Sequence, residues 1–389
     1  MTTTDTSTPP VVRGWPAVAA VAAATFSVVT TEMLPVGLLT SLAAELGASE
    51  GAAGLTMTVP GLIAAFAAPL LTVAAGRLDR RWVLVALMAL LASANLLSAM
   101  TPNLPLLVAL RVLVGVSIGG VWAIAAGLAV RLVPERSVGA ATSLIFSGIA
   151  VASVLGVPAG TFIGELGGWR ASFAVMGVVS LVVAVALAAL LPPLPAEKPM
   201  RFSVVPQLLR SGAVRVGLFV ILLLVSGHFA AYTYVRPVLE QVSAVDAGLI
   251  SALLLAYGLA GVAGNFAGGA ASARDPRRTL LLISAVLAAA VFALGLPLGV
   301  AGATAALLVW GVAYGGVSVS TQNWLLAAAP HAREAASSLF VAVFNIAIAL
   351  GALLGGRMVD AVSPPSAFFL ATALALAALL VTAAGRTAR

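Results

Sequence analysis

Three ionisable side chains stand inside long apolar runs: Glu32 in TTEMLPVG, Arg111 in RVLVGVSIGG and His228 in SGHFAAYTYVRP. Charge in hydrocarbon is costly and is retained where it faces a cavity or a partner, so each marks a pathway for an ion or a solute. Glu32 lies seventeen residues past Trp15, deep in the first apolar run. Removal from water favours the neutral form of a carboxyl, which suits Glu32 to carry an exchangeable, coupled proton. The competing reading is a carboxylate that reaches the outer interface or is neutralised by a neighbour. Arg111 can bias the protonation of a nearby acid or hold the solute, whereas the competing reading is a guanidinium that snorkels to the interface. His228 titrates near physiological pH and shares a helix face with Tyr232 at i+4, so the pair can hydrogen-bond solute hydroxyls. A histidine bonded only within the helix bundle is the alternative.

Asn265, Gln322, Asn323, Asn345 and Trp122 are further in-span groups. Singly each reads as helix-packing glue. Trp122, Asn323 and Asn345 are carried forward with His228 and Tyr232 as candidate substrate contacts. Other chemistries find no support. There is no G-x-x-x-x-G-K-[ST] loop to cradle phosphates, and the two histidines, His228 and His331, have no metal-ligand spacing. The chain has no cysteine, and serines such as Ser226 and Ser318 lack evident His and Asp partners. No cofactor and no metal are expected, and a membrane-embedded enzyme is the disfavoured rival from another functional class.

The elements that position these groups are membrane spans. Hydrophobic residues make up 61% of the 389 and charged residues 8%, against roughly 25% charged in an ordinary soluble domain. The apolar blocks are long enough to cross ~30 Å of hydrocarbon, which takes ~20 residues of helix. Spans are expected near 15–41, 52–76, 82–100, 105–130, 138–164, 170–191, 215–236, 247–271, 279–298, 303–329, 335–356 and 365–385. The first fourteen residues are polar and lack a small-residue cleavage site, so the first span reads as retained. Sixteen Lys and Arg then fall on the implied cytoplasmic side, against Arg170, Arg236 and Arg357 outside and Arg111 within a span. That bias places both termini in the cytoplasm and would dissolve if one mid-chain span were added or dropped. The net charge of +7 therefore reports topology, with no basic face for nucleic acid.

The chain repeats itself. GRLDRRWVL at 76–84 and SARDPRRTL at 272–280 place Asp79 and Asp275 196 residues apart, and the same offset joins Pro134 to Pro330 and Glu32 to His228. Gly156 and Gly160 recur as Gly351 and Gly355 after 195. The expected organisation is a cytoplasmic tail over 1–14, a six-helix bundle over 15–191, a cytoplasmic linker over 192–214, a second six-helix bundle over 215–385 and a tail over 386–389. Such parallel repeats place a solute site between the halves near the bilayer midplane, exposed alternately to each side. The fold class expected is all-α, with twelve transmembrane helices in two pseudo-symmetric bundles.

These features resemble the major facilitator superfamily over essentially the whole chain. GRLDRRWVL is similar to its motif between spans two and three, which implies that Asp79, Arg80 and Arg81, with the repeat counterpart Asp275, form a cytoplasmic gate. The loop is shortened and lacks the glycine after the acid. RVLVGVSIGG resembles the motif whose arginine, here Arg111, is associated with proton coupling. GIAVASVLGVPAG, with Pro158 between Gly156 and Gly160, resembles the antiporter motif of exporters and implies efflux. TTEMLPVGLL at 30–39, HFAAYTYVRP at 228–237 and FNIAIALGALLG at 344–355 resemble bacterial sugar efflux transporters of the twelve-span drug:proton antiporter class, with Arg236 at the family's usual acid. The implied activity is export of a sugar or sugar-like solute against protons by a monomer in the bacterial inner membrane. A drug or metabolite exporter and an uptake symporter of the same fold are the rivals.

Overall fold

The computed structural model describes residues 14–74, 78–195 and 208–385, and in these the chain is helical with no strand. In hydrocarbon every backbone polar group must find its partner within the protein, which leaves helices as the means of crossing. The first half comprises α1 (Gly14–Glu45), the short α2 (Glu50–Ala53), α3 (Leu55–Ala74), α4 (Arg80–Ala99), α5 (Leu104–Leu132), α6 (Val138–Val151) and α7 (Val157–Leu190). The second comprises α8 (Gly212–Tyr232), the short α9 (Val235–Gln241), α10 (Ala247–Arg274), α11 (Pro276–Leu294), α12 (Gly299–Gly315), α13 (Val317–Ala328), α14 (Arg333–Ala361) and α15 (Pro364–Ala384).

Short polar links cap these helices. The side chains of Asp79, Asn103, Ser211, Asp246 and Asp275 accept from backbone N–H groups in the first turns of α4, α5, α8, α10 and α11. Such caps satisfy donors that would otherwise end a span unpaired. Eleven stretches are apolar and long enough to cross a bilayer, and one of them, Glu135–Leu190, runs for 56 residues. At 1.5 Å per residue that is roughly 84 Å, more than twice a bilayer core. Gly168 breaks it with φ 76 and ψ 162, a conformation open to glycine and strained for other residues. The stretch is thus two spans joined at Gly168, which makes twelve among the described residues.

Packing follows the repeat. A Cβ added at Gly148, Gly156, Gly160 or Gly164 would meet Ala22, Thr30, Leu34 or Leu38 of α1 within 2.5 Å. The fifth span therefore lies directly on the first. In the second half, Gly351 and Gly355 of α14 press in the same way on the Ser226 and Ala230 carbonyls of α8. Missing side chains at these positions let the backbones approach and gain dispersion contacts where lipid supplies no hydrophobic drive between helices. Outward faces stay apolar, as at Phe66, Leu70, Val182 and Leu380.

The seventh span ends earlier than the expected 236. Tyr234 leaves the helical region, at φ −110 and ψ 20, and the short α9 begins at Val235. The apolar core around α8 also takes in Val36, Leu39, Ala43, Ala53, Met57 and Val157 of the first half. These cluster toward the end of the bundle remote from the termini, so the halves are joined there by a common core.

Candidate functional site

Arg111 projects from α5 and is fully buried. Its Nε donates to the Thr56 carbonyl at 2.8 Å, and Nη2 donates to the carbonyls of Thr31 and Glu32 at 3.0 and 3.2 Å. One guanidinium thus joins α5 to α1 and α3. The Phe173 ring lies 6.0 Å from its central carbon. Beside it, Asn95 of α4 donates to Thr31 Oγ1 at 3.0 Å. The Glu32 side chain is also buried, yet it forms no ion pair with Arg111 within 4.0 Å. Glu32 Oε1 and Arg111 Nη1 have no hydrogen-bond partner among the described residues. An acceptor and a donor of opposite charge are therefore held close in a medium that strengthens their fields, without quenching each other.

Across the halves, His228 sits in an aromatic cluster. Trp310 of α12 donates from Nε1 to His228 Nδ1 at 3.1 Å, so that nitrogen carries no proton and the ring is the neutral tautomer protonated on Nε2. Tyr314 stacks on the imidazole at a centroid distance of 3.2 Å, and Tyr232 stacks with it at 4.9 Å. Tyr257 of α10 stacks on Tyr232 at 5.1 Å, and its hydroxyl is buried without a partner. Tyr314 also lies within electrostatic reach of Glu32. Met33, adjoining Glu32, is partly buried against the core that the two halves share. The acid and the aromatic cluster thus stand in opposite halves, on the first and seventh spans.

The other expected contacts have partners of their own. Trp122 stacks on Phe146 within the first half at 6.1 Å. Asn323 donates to Ser272 Oγ at 2.9 Å, tying α13 to α10. Asn345 donates to the Val341 carbonyl of its own helix, while its backbone lies beside Gly61 of α3. In the expected gate, Asp79 Oδ1 accepts from the backbone N–H groups of Arg81 and Leu194, each at 2.9 Å, and Arg81 reaches the Ala188 carbonyl. Arg80 opens α4, and its backbone N–H donates to the Leu194 carbonyl at 2.8 Å. Asp275 caps α11 and pairs with Arg278 at 3.2 Å. The described contacts of these acids remain within their own halves. Pro158 is buried at the head of α7 between the packed Gly156 and Gly160.

Links between halves gather at the remote end. Ser49 donates to Asp360 Oδ2 at 2.8 Å, and the Gly51 N–H donates to Oδ1 at 3.0 Å. Gln241 donates to Glu50 at 2.9 Å, Ser251 to Glu165 at 2.8 Å, and Arg236 to the Gly37 carbonyl. Arg236 also pairs with Glu240 at 2.8 Å. Sequence reading singled out neither Asp360 nor Tyr257, Tyr314 and Trp310. A usable signal was present, because all four tyrosines, Tyr232, Tyr234, Tyr257 and Tyr314, fall in the second half.

This architecture has known counterparts. A family model described as the Major Facilitator Superfamily matches residues 21–334 and 241–388. The chain belongs to that superfamily. The purine ribonucleoside efflux pump NepI of Escherichia coli K12 is 35% identical over 375 residues, covering 95% of this chain and 94% of that pump. The pump of the same name from Salmonella paratyphi A is 34% identical over 373 residues, with the same coverage. Among solved structures, a bacterial homologue of the human lysosomal transporter Spinster, inward-facing and occupied, superposes with a TM-score of 0.77 at 14% identity, covering 97% of this chain and 96% of that one. The nucleoside transporter NupG superposes at 0.75 with 12% identity, covering 95% and 98%. These two likenesses establish the major facilitator fold. The chain is accordingly a multi-span membrane transporter of a small molecule, and its relatives support efflux.

Proposed function

We propose that this facilitator exports a purine ribonucleoside, or a solute of that class, in exchange for protons. The observation that carries the proposal is a buried Glu32 whose Oε1 has no hydrogen-bond partner among the described residues in one half, and the clustered His228, Tyr232, Tyr257 and Tyr314 rings in the other. A nucleoside has a planar base suited to aromatic stacking and a hydroxylated sugar suited to carboxylate and guanidinium partners. The efflux pump at 35% identity carries a purine ribonucleoside in its name, which supports the same class here. The sugar expected from the motifs is then the ribose of a larger solute. A plain sugar is the second reading, favoured by the motifs at 30–39 and 228–237.

In the mechanism proposed, Glu32 takes a proton from the outer side as solute leaves, and the halves rock about the bound site to face inward. Arg111 keeps the acid poised, and the Asp79, Arg80, Arg81 and Asp275 segments meet when the inner side closes. The termini are cytoplasmic in this reading, so the end latched by Asp360 faces outward. The transporter works as a monomer in the bacterial plasma membrane, divided at the 192–214 linker, part of which lies outside the described residues.

The test is transport into inside-out vesicles with an imposed proton gradient, acidic within. Radiolabelled inosine should accumulate and collapse with a protonophore, while arabinose and a thiogalactoside should not. Accumulation of the sugars instead would select the second reading. Accumulation of inosine that ignores the gradient would refute proton exchange.

A further inference from the structure

Two of the helices held by Arg111 are interrupted by proline at the level of the contact. Pro35 lies inside α1 and Pro60 inside α3. Proline has no N–H, and its ring crowds the carbonyl four residues earlier, so each leaves one helix carbonyl without its usual donor. Counting back four residues gives Thr31 and Thr56. Those are the carbonyls that Arg111 reaches, at 3.0 Å from Nη2 and 2.8 Å from Nε. A buried carbonyl in a membrane interior has no water to turn to, so a side-chain donor must replace the missing backbone one.

We infer that Arg111 is a positioning residue that supplies the donors removed by Pro35 and Pro60, and so fixes the broken turn of α1 on which Glu32 stands. The guanidinium suits this task because its N–H groups diverge in one rigid plane and serve two acceptors on different helices. An ammonium on a flexible stem has the charge without the fork. Two further facts agree. The shared bond to the Glu32 carbonyl at 3.2 Å places the brace on the backbone of the acid itself, and the guanidinium makes no ion pair with the Glu32 carboxylate. A counter-charge role would require only a cation nearby. This role requires the two prolines.

That requirement supplies the test. Pro35→Ala and Pro60→Ala restore the backbone donors, so together they should make Arg111 partly dispensable. Arg111→Met and Arg111→Lys would be made alone and in the Pro35→Ala/Pro60→Ala background, in a chain carrying Met33→Cys as its single thiol. Membrane accumulation, apparent melting temperature in detergent and the pH profile of maleimide labelling at position 33 would be read. The inference expects both arginine replacements to cut folded protein, and the proline replacements to recover about tenfold of the loss, a coupling ordinary for groups sharing one network. It also expects the labelling profile against pH, altered by Arg111→Met, to return toward wild type in the triple variant. If Arg111→Met fails to accumulate at all, its appearance in the alanine background is itself the expected result. Wild-type behaviour of Arg111→Lys, or no recovery from the proline replacements, would overturn the brace. Recovery of stability without recovery of the pH profile would overturn the positioning of Glu32. The stability arm needs no solute and no proton coupling, so it reads the brace even if the proposed transport activity fails.

Discussion

Replacing Asp360 with alanine should release the end of the bundle remote from the termini. Asp360 accepts from Ser49 Oγ at 2.8 Å and from the Gly51 N–H at 3.0 Å, and it lies across the interface between halves. Hydrogen bonds to charged acceptors reach ~1.5–3 kcal/mol when buried, but Asp360 is exposed, so the pair together contributes about 1–2 kcal/mol. Rocking opens this interface as a unit, and that energy then enters the equilibrium between the two states directly. A loss of 1–2 kcal/mol corresponds to a roughly 5- to 30-fold shift toward the state with this end open. The native chain contains no cysteine, so one reporter suffices. Met33→Cys, placed at the core the two halves share, should react with an impermeant maleimide about 5- to 30-fold faster when Asp360→Ala is added. Asp360→Asn keeps one carbonyl acceptor and should fall between. An unchanged labelling rate in a folded Asp360→Ala protein would show that the shared core around Val36, Leu39 and Met57 holds the end closed without the latch.

Further outcomes follow from the site. Glu32→Gln keeps the shape but removes the exchangeable proton, so it should retain solute binding and downhill exchange while losing pH dependence and uphill export; concentrative transport with the wild-type pH profile would make the acid structural. His228→Ala removes the acceptor of the Trp310 indole and the plane on which Tyr314 stacks, and should weaken solute binding by about 1–3 kcal/mol in a titration near neutral pH. A Cβ at Gly264 would lie 2.0 Å from the Val312 carbonyl oxygen, so Gly264→Val must separate α10 from α12. It should destabilise the protein by about 1–3 kcal/mol, seen as a lower apparent melting temperature in detergent. A single cysteine at Ala247, exposed at the start of α10, should label from outside the cell, and inside-only labelling would reverse the proposed orientation.

Much of this molecule was legible in the residue order because the bilayer imposes a simple rule. Spans must be long, apolar and helical, so twelve of them, their glycine-lined contacts and the repeat at 196 residues could be read without coordinates. The isolated charges Glu32, Arg111 and His228 stood out for the same reason, since hydrocarbon makes each one conspicuous. Asp79 and Asp275, read from the sequence as gate acids, each cap the helix that follows them, a role that acts on its own helix. The seventh span, read as reaching 236, ends as a helix at Tyr232, since nothing in HFAAYTYVRP marks Tyr234 as non-helical.

What folding alone decided are contacts between residues far apart in the chain. The Asp360 latch joins residues separated by 311 positions, and no periodicity reports on such a pair. Tyr257, Tyr314 and Trp310 look like ordinary apolar-face aromatics until α8, α10 and α12 bring them round His228. The same holds for Arg111. Its place in a span suggested a counter-charge, a solute contact or a snorkelling group, and the approach of two proline-containing helices shows which atoms its donors serve. Helix formation is governed by neighbours within one turn and is written locally, whereas the direction in which a buried polar group finds its partner is set by how whole helices pack.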